Sequence, residues 1–151
     1  MIEPIQLSFE VACAVDRAFD VWTAGIAQWW PKDHTVSAED DLTVVLEPRS
    51  GGRIFERRSS GIEHDWGQVT IWEPPTRLGY TWHLNRDRTD ATDVEIRFLP
   101  RGEGATLVEI EHRGWERLGM EGEPWRDRNR GGWATLLPHF VAAVAKLPAR
   151  T

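Results

Sequence analysis

The sequence predicts an α+β fold in which a curved antiparallel sheet wraps a long C-terminal helix. Three observations predict it. The period of the apolar residues runs in the order strand, one or two short helices, about six further strands, long helix. The strand-like runs share one continuous apolar face, and the last helix carries one apolar stripe to match. Nine of the 151 residues are tryptophan, more than filling a small core requires, so several are expected to line a space.

From Ile5 to Val11, Ile5, Leu7, Phe9 and Val11 alternate with Gln6, Ser8 and Glu10, the pattern of an amphipathic strand. From Asp16 to Gln28 the spacing turns helical. Phe19, Trp22 and Ile26, with Val15 and Ala18, form one stripe, and Asp16 is the expected N-cap. Trp29-Trp30-Pro31 then ends the helix or opens a second short one, because proline disfavours helical geometry in the residue before it. After the acidic stretch Ser37–Asp41, a strand over Leu42–Glu47 leads through Arg49-Ser50-Gly51-Gly52 into a return strand, Gly52–Arg58; the glycines supply the positive φ of a hairpin.

Trp66–Glu73 is the next strand, closed by the rigid turn Pro74-Pro75-Thr76. Leu78, Tyr80, Trp82 and Leu84 alternate with Gly79, Thr81 and His83; Val94, Ile96 and Phe98 with Asp93, Glu95 and Arg97; and Val108 and Ile110 with Glu109 and Glu111. Asn85–Ala91 and Pro100–Gly104 are polar hairpin loops. Such runs make an antiparallel meander with one wet and one covered face, leaving Glu95, Arg97, Glu109 and Glu111 solvated. Trp133, Leu136, Leu137, Phe140, Val141, Val144 and Leu147 then give a helix long enough to cross the sheet. Pro138 either bends this helix or places the start of its regular part near Ala134.

Residues 1–151 read as one domain, long enough to fold without disulfide or metal staples. The net charge is −6 and there is no basic block, so nucleic acid is not an expected partner; Arg126, Arg128 and Arg130 read as a short solvated loop. No leader-like or membrane-length apolar run is present, and the single cysteine, Cys13, cannot bridge internally, so a reducing, cytoplasmic setting without a membrane partner is expected. His34, His64, His83, His112 and His139 show no metal-ligand spacing, and no nucleophile elbow, phosphate loop or dinucleotide fingerprint occurs. Neither metal nor cofactor is expected.

A set of motifs in fixed order carries a resemblance. Glu47-Pro48-Arg49-Ser50-Gly51-Gly52-Arg53, Trp66-Gly67-Gln68-Val69, Trp72-Glu73-Pro74-Pro75, Thr81-Trp82, and Gly132-Trp133 ahead of Leu136-Leu137 resemble, nearly end to end, the START-like superfamily (SRPBCC). Within it they resemble the branch named after the activator of the 90-kDa heat-shock chaperone ATPase. The resemblance implies a helix-grip fold with a hydrophobic cavity between sheet and helix, and a stress-response link through a possible chaperone partner. It does not fix function, because that superfamily holds lipid carriers, hormone receptors, polyketide cyclases and co-chaperones.

The expected ligand is a small apolar or aromatic molecule. Its expected contacts are Phe55, Tyr80, Trp82 and Phe98 on the sheet, Trp133, Leu137 and Phe140 on the helix, and Trp22, Trp29 and Trp30 at the mouth. Tyr80, the indole N–H groups, His112 and Gln68 are the available polar groups. For Val94, Ile96, Val108, Ile110 and Leu137 plain packing is the competing reading; Tyr80, Trp82 and Trp133 stand as wall or core. The alternatives are a cyclase- or hydrolase-like enzyme using the same cavity, with His112 or Tyr80 moving a proton, and a co-chaperone that stimulates the chaperone ATPase.

Overall fold

The computed structural model describes residues 2–149. β1 (Ile5–Val11) is followed by α1 (Val15–Trp22), α2 (Ile26–Trp29) and a 3₁₀ turn at Lys32–His34. Then come β2 (Thr43–Leu46), β3 (Arg53–Arg57), β4 (Glu63–Glu73), β5 (Arg77–Trp82), β6 (Thr92–Pro100) and β7 (Thr106–Arg113). A 3₁₀ segment, Trp115–Glu121, leads into α3 (Gly122–Ala145). All neighbouring strands are antiparallel, in the order β1-β7-β6-β5-β4-β3-β2. The chain therefore crosses from one sheet edge to the other through α1 and α2, both of which touch α3. Among the described residues no helix is long and apolar enough to cross a membrane.

Register puts the expected apolar positions side by side. Leu7 faces Ile110, Ile110 faces Ile96, and Ile96 faces Leu78, a cross-strand row over which α3 lays Trp133, Leu136, Phe140 and Val144. Phe19 of α1 anchors the far end, with its ring 5.2 Å from Trp72 and 5.4 Å from Phe98. Two irregularities curl the sheet, a register shift at Ile54/Phe55 between β3 and β4 and one at Val69/Ile71 between β4 and β5. At the bend Gly67 lies so near β5 that a Cβ there would sit 1.8 Å from the Thr81 carbonyl oxygen. The β2–β3 hairpin turns on Gly51 at φ +83°, as its Gly-Gly pair predicts.

Four expectations are corrected. The helix expected over Asp16–Gln28 is two helices: Thr23 Oγ1 donates to the Phe19 carbonyl (2.8 Å), and the chain turns through Thr23–Gly25 before α2. Ala14, extended at ψ 158°, holds the N-cap position in place of Asp16, which sits in the first turn, where its charge suits the helix dipole. α3 begins at Gly122, well before Ala134, so Arg126, Arg128 and Arg130 are helical and not a loop. The helix runs through Pro138, and Ala134 and Pro138, whose backbone pair the proline breaks, are both on its exposed side.

The fourth correction concerns Glu95, expected in solvent but only 7% exposed. Arg77 Nε (2.8 Å) and Arg97 Nε (3.1 Å) donate to its Oε2, and Arg113 Nη1 lies 3.5 Å from Oε1. Three long cations from adjacent strands cover the carboxylate, and the Arg77 hydrogen bond first among them holds its pKa below the ordinary value.

Because the Gly67 backbone contact cannot relax by side-chain rotation, Gly67→Ala is expected to lower stability by about 1–3 kcal/mol, the usual cost of overpacking. Gly104→Ala, where a Cβ meets nothing within 4 Å, is expected to be near neutral. Urea midpoints of the two variants measure the contrast.

Candidate functional site

Most of the tryptophans join Phe140 in one connected cluster beneath α3. Trp22 lies 5.0 Å from Trp29, Trp29 5.5 Å from Trp30, and Trp30 5.2 Å from Trp66 and 5.8 Å from Trp82 (ring centroids). Phe140 of α3 contacts Trp22 at 4.9 Å and Trp29 at 5.3 Å. Where the cluster meets the N-terminal half of α3, a cleft of about 200 Å³ remains. Trp30, Trp82, Leu84, Trp133 and Leu136 make its apolar lining, with Trp125 and Gly132; Asp33, His34, Thr35, Asn85, Arg128 and Asn129 make its polar rim.

Several indole N–H groups are committed within the protein, whereas those of Trp72, Trp82 and Trp125 take no acceptor among the described residues. Trp29 Nε1 donates to the Val21 carbonyl (2.8 Å), Trp30 Nε1 to the His34 carbonyl (2.9 Å), Trp66 Nε1 to Glu56 Oε1 (2.8 Å) and Trp115 Nε1 to the His112 carbonyl (2.9 Å). Trp22 Nε1 lies beside the Tyr80 hydroxyl without meeting hydrogen-bond geometry. Buried indoles held by their N–H groups present ring surface, not donors, to whatever enters.

His112 joins the two sides of the site. Trp133 Nε1 donates to His112 Nδ1 (3.1 Å). An indole nitrogen can only donate, so Nδ1 is the acceptor and Nε2 carries the proton. Nε2 therefore donates to Thr92 Oγ1 (2.7 Å), whose hydroxyl donates to the Trp82 carbonyl (3.2 Å). The relay runs from α3 through β7 and β6 to β5, and both its ends border the cleft. His112 is fully buried, and burial pushes its pKa down to about 3. It is a neutral tie, not a proton-transfer group near its ordinary pKa.

The segment beyond α2 is fixed to the sheet by Glu56, another buried residue. Its carboxylate accepts hydrogen bonds from Val36 N (2.6 Å), Ser37 N (3.0 Å), Ser37 Oγ (2.8 Å) and Trp66 Nε1 (2.8 Å). Burial alone raises a carboxyl pKa, but here the donors outweigh it and the net shift is downward from 4.5. His34 closes the rim: Nε2 lies 2.8 Å from Thr135 Oγ1 on α3 and Nδ1 lies 3.6 Å from Asp33 Oδ1. Its pKa is lowered, by burial first and by His139, against the opposing charge of Asp33.

Of the eleven expected contacts, Trp30, Trp82 and Trp133 border the cleft. Trp22, Trp29, Tyr80, Phe98 and Phe140 are buried in the packed interior behind it, and burial raises the Tyr80 phenol well above its ordinary pKa. Leu137 packs partly buried against the same core, and His112 lies beneath Trp133. Phe55 was expected on the covered face and is on the other. Regular alternation along β3 turns Ile54 and Glu56 inward and sets Phe55 with Arg53 and Arg57, whose guanidinium groups lie over its ring at 4.1 Å and 5.1 Å. Gln68 points outward too, donating to the Gly51 carbonyl.

The cleft residues on the first turns of α3 were missed because α3 was expected to start too late. Trp125, Arg128, Asn129, Gly132, Trp133 and Leu136 follow the helical i, i+3, i+4 spacing. The two glycines at 131 and 132, poor helix formers, and the three arginines masked that stripe.

The family model described as "Activator of Hsp90 ATPase homolog 1-like protein" matches residues 12–145, and the chain belongs to that family. It is similar to the anthrahydroquino-γ-pyrone synthase Txn09, complexed with SUM, at 33% identity over 82% of this chain and 84% of that one, with a TM-score of 0.59. It is also similar to CalC, a self-sacrificing resistance protein from Micromonospora echinospora, at 26% identity, 99% and 98% coverage and a TM-score of 0.73. A third similar structure is PFC0360w, an HSP90 activator from Plasmodium falciparum, at 16% identity, 99% and 100% coverage and a TM-score of 0.69. Among curated proteins nothing matches this chain. These structures share the helix-grip architecture of a curved seven-stranded antiparallel sheet around a long C-terminal helix.

Glu56 generates a prediction with a definite sign. Its folded pKa is lower than its unfolded one, so the stability it confers is present above the ordinary value of 4.5 and is lost as pH falls through the folded pKa. Glu56→Gln is expected to be less stable than wild type at pH 7 and to lose less on acidification to pH 4; parallel unfolding curves at the two pH values check this.

Proposed function

We propose that this member of the activator of Hsp90 ATPase homolog 1-like family binds a small apolar or aromatic molecule in the cleft between sheet and α3, as a carrier or sensor. The observation that carries the reading is the lining. Trp30, Trp82 and Trp133 border the cleft, and the N–H groups of Trp30 and Trp133 are bonded within the protein. Planar indole faces, two of them with their donors already bonded, suit stacking on a planar apolar ligand. At about 200 Å³ the cleft exceeds the roughly 150 Å³ apolar cavity that takes up benzene. One or two fused rings fit this size. A lone cysteine and a chain of net charge −6 go with a cytoplasmic setting and with a small molecule rather than nucleic acid as partner.

A second reading, cyclase- or hydrolase-like chemistry in the same cleft, has one observation in its favour. The chain is 33% identical to a synthase, and His34, with its lowered pKa, stands at the rim as a neutral imidazole able to accept a proton. Spectral change of a hydroxyanthraquinone incubated with the protein, lost in His34→Ala, would favour it; binding without change would leave the carrier reading. Co-chaperone action rests on the family description and on an activator whose 16% identity shows the fold alone, and it ranks below ligand binding.

Gly132 allows a test that leaves the core untouched, since it lines the cleft and a Cβ added there meets nothing within 4 Å. Gly132→Leu is expected to fill the cleft and weaken binding of the neutral fluorophore N-phenyl-1-naphthylamine at least ten-fold (about 1.4 kcal/mol). Its stability is expected to hold or rise, because leucine is about 0.8–1 kcal/mol better than glycine inside a helix. Unchanged probe affinity in a folded Gly132→Leu protein would contradict binding in this cleft.

A further inference from the structure

The rim of the cleft differs from its floor in carrying one fixed and unopposed cation. Arg128 is the only arginine or lysine among the described residues lining the cleft, and its guanidinium lies 4.6 Å from the centre of the Trp125 ring. Arg86 lies over the same ring at 4.7 Å, but it is committed elsewhere, with Nη2 3.0 Å from Asp90 Oδ2 and 3.3 Å from Glu121 Oε2. Arg128 makes no ion pair or hydrogen bond among the described residues. A guanidinium stacked on an indole is held flat while its N–H edge stays free, the arrangement that receives a carboxylate or phenolate two-pronged.

The neighbouring polar groups favour the same assignment. Asn85 stands on the rim in a left-handed conformation, φ 64°, which asparagine tolerates better than most residues. Asn129 Nδ2 is bound to the Trp125 carbonyl (2.9 Å), which fixes that amide on the same turn of α3 as Arg128. The one carboxylate on the rim, Asp33, is 85% exposed and lies 3.6 Å from His34 Nδ1, so water screens it from the cleft.

We propose that the cleft selects an aromatic molecule bearing one acidic group, with the rings on Trp30, Trp82 and Trp133 and the anion on Arg128. This rests on the binding reading above and adds to it the charge of the ligand. The net charge of −6 disfavours anions at long range, so any preference for an anionic ligand reports a local contact.

The test is calorimetric titration with 2-naphthoate and its neutral isostere 2-naphthamide. Wild type is expected to bind the naphthoate about ten-fold more tightly, the effect of one charge-assisted contact. Arg128→Gln is expected to erase that preference while keeping its affinity for the naphthamide, and Arg128→Lys, which keeps the charge, to restore part of it. Equal affinity of wild type for both probes, or a preference that survives in Arg128→Gln, overturns the assignment of the anion and leaves the cleft reading standing. Failure of both probes to bind overturns the two together.

Discussion

The hydrogen bond from Trp133 Nε1 to His112 Nδ1 is the contact on which the architecture of the site depends. It is the point where α3 is tied by a polar bond to the inner face of the sheet, and it is made in full burial. There an unmet donor or acceptor would cost about 1–3 kcal/mol. The bond sets the tautomer of His112, the tautomer directs a hydrogen bond to Thr92, and Thr92 reaches the Trp82 carbonyl. One wall residue on the helix and one on the sheet are therefore held at a separation fixed by hydrogen bonds, whereas apolar contact alone is non-directional.

Around that tie several indoles follow one rule. The N–H groups of Trp29, Trp30, Trp66, Trp115 and Trp133 take partners inside the protein, so these indoles add packed aromatic area without turning donors toward the cleft. Glu56 extends the rule to the loop after α2: a carboxylate buried beneath the sheet gathers two backbone amides, a hydroxyl and the Trp66 indole. The segment carrying Asp33, His34 and Thr35 is thereby positioned from below while His34 reaches α3 from above. The floor is apolar and fixed, and the rim is polar. Trp125 with its two guanidinium groups belongs to the rim, where α3 begins.

Much of this was legible in the sequence. Period-two alternation located the strands because one sheet face is covered and the other wet, and Ile96, Phe98, Val108 and Ile110 lie where alternation puts them. Local cues failed where tertiary contacts decide. Nothing in the residues near Thr23 announces that its hydroxyl will bond the Phe19 carbonyl and end α1. Phe55 reads as a core ring by its apolar character, yet alternation along β3 places it on the face of Arg53 and Arg57. Glu95 reads as a solvated residue until three strands bring Arg77, Arg97 and Arg113 over it. The start of α3 was hidden by glycines and arginines whose helical state depends on Trp125, Trp133 and Leu136 finding the cleft and core. The indole excess could not separate the four that line the cleft, Trp30, Trp82, Trp125 and Trp133, from those that pack behind it.

In the proposed binding mode an aromatic ligand meets the ring faces of Trp30, Trp82 and Trp133, Trp125 supports Arg128 at the rim, and the remaining tryptophans are structural. Indole ¹⁵N–¹H spectra recorded during titration with N-phenyl-1-naphthylamine test it most directly. Binding in the cleft is expected to give saturable shifts concentrated in the signals of Trp30, Trp82 and Trp133, with those of Trp72 and Trp115 nearly still. Larger shifts at Trp72 or Trp115 than at Trp30, Trp82 and Trp133, or no indole shift at a saturating probe concentration, would contradict it.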